Sequence, residues 1–181
     1  MEGEQELRDL VRRARSGDPD AWEVLYVRAY ARLRSYARRR LPTADDAEEA
    51  VSETMMRAFD RIKAFTWRGA GFDAWMYGIC RNVILEANRA RGQSASAVSS
   101  LVPEQEPGPE DFLLNEEEAR TVRAAFGQLH PEEQEVLELR VVGGLTAKEV
   151  GAVIGKRPGA VRMAQSRALD RLRSLMKGEL T

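Results

Sequence analysis

The stretch 145-LTAKEVGAVIGKRPGAVRMAQSRALDRL-172 holds two helices and the turn between them. Thr146-Ala147-Lys148-Glu149 is a capping box, in which the Thr146 hydroxyl and the Glu149 carboxylate satisfy opposite orphan N–H groups. Val150, Val153 and Ile154 give that short helix an inward face. Gly155 can adopt the left-handed conformation that closes it. Pro158 then opens a second helix, where its missing N–H costs nothing. Val161, Ala164, Ala168, Leu172 and Leu175 form the inward stripe of this helix. Arg157, Arg162, Met163, Ser166 and Arg167 fall outside it. A capped helix, a glycine turn and a second helix with basic outward positions spell a helix-turn-helix. Its second helix is built to enter a major groove, where the arginine fork matches guanine O6 and N7. Lys148 and the helix N-termini suit phosphates, which position without specifying, and Lys156 and Pro158 at the helix start join the residues that face the DNA. The plainer alternative is a helical hairpin with a solvated basic face.

Working outward, the whole chain reads as helices. Phe112 to Leu129 and a segment from His130-Pro131, with Val136, Leu137 and Leu139 as core, precede the stretch above, and Gly143-Gly144 separates them from it. Towards the N-terminus, Leu7, Leu10, Val11 and Ala14 form a short apolar stripe. Asp18 caps a helix opened by Pro19, with Trp22, Leu25, Tyr26, Ala29, Leu33, Tyr36 and Ala37 at helical spacing. Thr43 caps another, whose apolar face runs from Ala47 to Ile62. Phe72, Trp75, Met76, Ile79, Val83 and Ala87 define a fourth, ending near Gly92. Strand-like alternation is absent, so the expected fold is all-α.

Between the helices, 93-QSASAVSSLVPEQEPGPE-110 has no periodic apolar face and too little apolar surface to offset its ordering entropy. The expected architecture is therefore two small helical domains, residues 1–92 and 116–181, joined by a flexible linker over 93–115. No apolar run reaches the roughly 20 residues that span a bilayer. The acidic N-terminus lacks a signal core, which places the protein in the cytoplasm. With a single Cys80 and a single His130, neither an intramolecular disulfide nor a zinc site of the usual kind is available. No carboxylate pair, nucleophile–base pair or phosphate loop is visible, so no enzyme activity and no cofactor are expected.

The net charge of −1 hides a segregation of charge. Residues 140–181 carry nine Lys/Arg against three acids, the footprint of phosphate contact, whereas residues 93–118 carry seven acids and no base. Asp45, Asp46, Glu48, Glu49 and Glu53 cluster in the first turns of one helix, where acids also favour the positive end of the dipole.

The segment 129-LHPEEQEVLELRVVGGLTAKEVGAVIGKRPGAVRMAQSRALDRL-172 resembles region 4 of the extracytoplasmic-function (group IV) sigma factors of the sigma-70 family, which reads the promoter −35 element. Independently, 46-DAEEAVSETMMRAFDRI-62 resembles region 2.2, which docks on the polymerase clamp. The stretch 72-FDAWMYGICRNVILEANRAR-91 is similar to regions 2.3 and 2.4, which melt and read the −10 element. The order and spacing are those of the family. Departures are Gly78 and Cys80, where a bulkier basic residue and alanine are usual, the proline at 131, and Met163-Ala164, where serine and arginine are common.

The resemblance implies that Glu48, Glu53, Met56 and Arg57, with the acidic cluster of Asp45, Asp46 and Glu49, form the polymerase surface. It implies that the loop Thr66-Trp67-Arg68-Gly69-Ala70-Gly71 holds a base flipped from the −10 strand. Extruded bases need stacking partners and backbone cations. Arg81, Asn82, Asn88, Arg89 and Arg91 suit single-strand and phosphate contact. Tyr77 is either a stacking residue or core, and Asn82 either a DNA contact or a packing residue. Trp67, on the loop, is hard to place in a core, whereas Trp75 and Phe72 belong there. Partners implied are the clamp and flap regions of core RNA polymerase, promoter DNA and an anti-sigma protein. A helix-turn-helix regulator or sigma-like adaptor that binds without melting is the alternative. The Trp67 loop discriminates, since a duplex reader has no use for a single-strand trap.

Overall fold

The computed structural model describes residues 2–67, 70–92 and 116–179, and among these every regular element is helical. Helix α1 (Glu2–Arg15) leads into α2 (Pro19–Arg38), which starts where the side chain of Asp18 accepts the backbone N–H groups of Asp20 at 3.0 Å and Ala21 at 3.2 Å. Thr43 accepts from the Asp46 N–H at 3.1 Å and so caps α3 (Ala44–Arg61). A 3-10 turn over Ile62–Ala64 and a short loop precede α4 (Phe72–Ala90). Buried stripes of Leu25, Leu33 and Tyr36 on α2, Val51 and Met55 on α3, and Met76 and Ile84 on α4 face one another and make the core of this first bundle.

The second bundle comprises α5 (Glu116–Gly127), α6 (Pro131–Val141), α7 (Ala147–Ile154) and α8 (Pro158–Glu179). The helix read from Phe112 is described from Glu116 onward, and residues 93–115 lie outside the described residues. A small cluster of Leu129, Leu137 and Ala168, with Phe126, Leu169 and Leu172 against it, holds α5, α6 and α8 together.

Elsewhere the apolar core of the second bundle runs on into that of the first, chiefly where α7 meets α4. Val136 and Leu139 of α6, Leu145, Ala147 and Val150 around α7, and Val161 and Ala164 of α8 belong to one continuous buried cluster with Leu25, Tyr36, Met76 and Tyr77. Fully burying a side chain of this size is worth about 1.5–3 kcal/mol, and the part of that burial made between α4 and α7 favours the contact of the two bundles. Gly143 sits where the two bundles meet: a Cβ there would lie 2.6 Å from the Leu139 carbonyl oxygen and 3.2 Å from the Tyr77 ring.

Candidate nucleic-acid interface

The helix-turn-helix forms as the capping and glycine signals require. The Thr146 side chain accepts from the Glu149 N–H at 3.2 Å, and Glu149 accepts from the Thr146 N–H at 2.8 Å. Gly155 takes φ 72°, and the Lys156 N–H returns to the Gly151 carbonyl at 2.9 Å. The turn is tight enough that a Cβ on Gly151 would lie 2.4 Å from the Lys156 carbonyl oxygen. Val161, Ala164 and Ala168 turn inward, and Lys148, Lys156, Arg157, Arg162, Met163, Ser166 and Arg167 are all exposed, with Pro158 half-buried at the helix start. Lys156 is paired to Glu132. Met163 is 63% exposed, which no packing role explains.

The residues read as a single-strand surface are distributed differently. Thr66, Asn82 and Arg89 are exposed, as expected of contact residues. Arg68 and Gly69 lie outside the described residues. Trp67 departs from the expectation of a free loop aromatic: it is half-buried, meets Phe65 edge-on at 5.2 Å, and has the Arg8 guanidinium 4.5 Å from its ring. Phe65, Phe72 and Trp75 complete that aromatic cluster. Tyr77 is buried, packed beside Tyr36 with ring centroids 5.3 Å apart, and burial first, then Glu138, holds its phenol above the ordinary range. Packing is therefore its role in this state.

Asn88 is also buried; its amide donates weakly to the Arg40 carbonyl at 3.4 Å, and its Oδ1 has no partner among the described residues. Arg81 donates to Glu135 of α6 at 3.0 Å, and Arg91 pairs with Asp46. Asp46, placed by the resemblance on the polymerase surface, thus ties α3 to the end of α4.

On α3 itself, Asp45 and Glu49 are exposed. Glu48 accepts from the Tyr30 hydroxyl at 2.5 Å and pairs with Arg34, and these bonds hold its carboxyl below the usual range. Glu53 and Glu86 both take hydrogen bonds from Arg57, which lifts the guanidinium's pKa still further. Met56 and Phe59 stand 58% and 56% exposed beside these fixed charges, an apolar strip on an otherwise ionic helix. Helix α3 therefore presents a rigid, mixed surface suited to a protein partner.

A further ionic group was not singled out by sequence reading. Arg39 and Arg40 donate to the two carboxylate oxygens of Glu138 at 2.6 and 2.7 Å, and the Tyr36 hydroxyl donates to Glu135 at 2.6 Å. The side chains of Arg40 and Glu138 are only 12% and 3% exposed. Burial acts to lower the Arg40 pKa, but Glu138, Tyr36 and Glu135 outweigh it, and the group stays charged. For Glu135, burial raises and Arg40 and Arg81 lower; the net direction is downward. The available signal was Glu135 and Glu138 at a three-residue spacing in a helix whose neighbours Val136, Leu137 and Leu139 are core.

Residues 25–94 match the family model for Sigma-70 region 2, and residues 125–174 match that for Sigma-70 region 4. The fold and its surfaces therefore define a sigma-type transcription initiation protein. Similarity along the whole chain narrows this. It is 33% identical over 173 residues to the ECF RNA polymerase sigma factor BldN of Streptomyces coelicolor, covering 94% of this chain and about two thirds (66%) of that one. It is 33% identical over 180 residues to the ECF RNA polymerase sigma factor ShbA of Streptomyces griseus, covering 92% and 93% of the two chains. Among solved structures, the sigma factor RpoE in complex with the anti-sigma factor NepR from Bartonella quintana superposes with a TM-score of 0.63 at 25% identity, over 85% of this chain and 93% of that one. The chain belongs to the extracytoplasmic-function RNA polymerase sigma factors. As an alternative sigma factor it directs RNA polymerase to promoters. Sigma factors are initiation factors rather than enzymes in their own right. Among the described residues, no helix is long and apolar enough to cross a membrane.

Proposed function

We propose a division of labour among the surfaces of this sigma factor. Helix α3, with Asp45, Glu49, Met56 and its fixed ion pairs, docks on the polymerase clamp. The loop before α4 and the exposed Asn82 and Arg89 of α4 hold the melted −10 strand, with Arg81, Asn88 and Arg91 joining once their present partners release them. Helix α8 reads the −35 duplex through Arg157, Arg162, Met163, Ser166 and Arg167, while Lys148 and Lys156 hold phosphates. The protein works in the cytoplasm, and an anti-sigma protein is a further partner, as for the RpoE of Bartonella quintana.

One observation supports the reading most strongly: the outward row of α8 is basic and exposed, and a glycine turn joins α8 to the capped helix α7, as a helix-turn-helix requires. Run-off transcription with core polymerase on a promoter library is the direct test. On a selected promoter, Asn82→Ala with Arg89→Ala should reduce open-complex formation about tenfold, for a loss of roughly 1–3 kcal/mol per strand contact. A pre-melted bubble template should restore most of the activity, because it removes the unpairing cost. Equal loss on duplex and bubble templates would assign these residues to docking or folding instead.

A further inference from the structure

Resting on the reading of the loop before α4 as part of the −10 strand site, we propose that Arg8 of α1 is a strand-contacting residue, its guanidinium and the Trp67 ring forming one stacking platform for the captured base. The guanidinium carbon lies 4.5 Å from the centroid of the Trp67 ring. The Arg8 side chain is nevertheless 44% exposed. A planar cation that covers an indole and still meets solvent keeps its outer side available. Bases stack on guanidinium planes as they do on aromatic rings, and arginine adds a cation–π contribution to single-strand sites. The half-burial of Trp67 is met by this arrangement. The ring has little free surface of its own, and Arg8 carries the platform out by one layer.

The platform is held on both of its members. The Arg8 Nε and Nη2 both donate to Oε1 of Glu4, one turn earlier, at 3.2 and 2.8 Å. These two bonds set the plane of the guanidinium. They leave Nη1 without a partner among the described residues, free to meet a base acceptor or a strand phosphate. Trp67 is held by the edge-on contact with Phe65 at 5.2 Å. The loop backbone returns past the same ring, since a Cβ on Gly71 would lie 3.9 Å from its Cζ3.

Helix α1 is itself fixed against this loop. Leu7, Val11 and Ala14 are buried, and Arg15 donates to the Lys63 carbonyl of the 3-10 turn at 3.4 Å. The neighbouring cations of α1 are placed differently. Arg12 pairs with Asp9 and Arg13 with Asp18, and among the described residues Arg8 alone of the α1 arginines lies over an aromatic ring. A preordered flat cation costs less to bind against than a free one, because its rotamer is already set.

The test uses the holoenzyme and a promoter selected by run-off transcription. A short labelled strand carrying the −10 element is bound to holoenzyme made with wild type, Arg8→Ala, Arg8→Lys, Trp67→Ala and Arg12→Ala. The strand is then scanned with an abasic sugar at each −10 position in turn, which keeps the phosphate and removes the stacking partner. Arg8→Ala should weaken the intact strand about tenfold, the size of one lost base stack. That loss should vanish at one abasic position, the same position at which the Trp67→Ala loss vanishes. Arg8→Lys keeps the charge without the plane and should restore little of the affinity. Arg12→Ala removes the same charge from the same helix, and any loss should be small and equal at every position. Circular dichroism should show unchanged helix content for Arg8→Ala, whose side chain is exposed; if it does not, Arg8→Gln carries the same scan. An Arg8→Ala loss equal at all positions, matched by Arg12→Ala, or fully restored by lysine reduces Arg8 to a diffuse charge and overturns the platform. A position-specific loss for Trp67→Ala with none for Arg8→Ala sinks the Arg8 assignment alone and leaves the loop reading standing. A position-specific loss for neither variant sinks the loop reading, and the platform with it.

Discussion

The two surfaces assigned to DNA are in opposite states. On α8, Arg157, Arg162 and Arg167 are exposed and have no carboxylate partner among the described residues. On α4, Arg81 is held by Glu135, Arg91 by Asp46, and Asn88 is buried beneath the Arg40 carbonyl. Residue type and helical spacing are similar in the two places. What differs is the neighbour each face meets. The outward face of α8 meets solvent, whereas on α4 Arg81 meets α6, Arg91 meets α3, and only Asn82 and Arg89 stay exposed. A cation at a motif position thus reports what a surface can bind, and its tertiary partner decides whether that surface is available.

The sharpest way to break the comparison is to damage the turn that aims α8. Gly151→Ala drives a Cβ to 2.4 Å from the Lys156 carbonyl oxygen, which is backbone and cannot swing aside. Forced overpacking of this kind costs about 1–3 kcal/mol, and the upper end is expected here. Urea unfolding should show the loss, and −35 recognition should fall with it while α3 docking on core polymerase persists. Stability unchanged within about 0.5 kcal/mol would mean the turn relaxes freely, outside the range such overpacking gives.

Truncating the exposed arginines should act on binding alone. Arg162→Ala and Arg167→Ala remove side chains that touch no core, so the melting temperature should scarcely move. A lost bidentate base contact costs roughly 1–3 kcal/mol of discrimination, and a lost phosphate contact lowers the salt slope by about 1 at every sequence. Holoenzyme binding to −35 duplexes across a salt series distinguishes the two. Arg81→Ala, by contrast, should lower stability as well, because Glu135 is only 17% exposed and loses a partner. If Arg81 and Arg162 variants prove equally neutral for folding, the contrast between the two faces fails.

A smaller effect of opposite sign is expected inside α4. Gly78 lies mid-helix, and a Cβ there meets nothing within 4 Å. Gly78→Ala should therefore stabilise the first bundle by about 1 kcal/mol through helix propensity alone. Thermal unfolding reads this directly, and destabilisation would point to a partner that needs the open space.

Local signals were legible wherever the governing chemistry is local. The Asp18 and Thr43 caps, the Thr146–Glu149 box, the Gly155 stop and the inward stripe of α8 all sit where spacing and capping rules put them. The contact between the bundles was not legible, because it depends on pairs such as Arg40 with Glu138, 98 positions apart in the chain. Trp67 shows the same limit at smaller scale. On a loop it reads as a free stacking residue, yet Phe65 and Arg8, from different elements, give it a resting place. Tyr77 likewise needed knowledge of Gly143 and Tyr36 to settle as packed. Charge, too, is silent when partners are distant: nothing in the spacing of Glu135 and Glu138 on α6 points to the guanidiniums they meet.

The smallest expected effect concerns Cys80, and it bears on the rigidity of the first bundle. The thiol is fully buried in α4. Burial pushes it up to about 12, with Thr54 and Arg40 only partly opposing that shift. At pH 8 the thiol therefore stays protonated, and the thiolate is the reactive form. Native full-length protein should accordingly show no measurable reaction with a disulfide reagent such as DTNB over an hour, and one equivalent in guanidinium chloride. Such silence marks Cys80 as a small apolar filler between α3 and α4, in keeping with the behaviour of buried free cysteine. The contrast between α8 and α4 requires a first bundle that stays rigid while its contacts with α6 are made or lost. Rapid modification of the native chain would show that α4 itself breathes. The paired state of Arg81 would then reflect local motion within the first bundle as much as contact with the second.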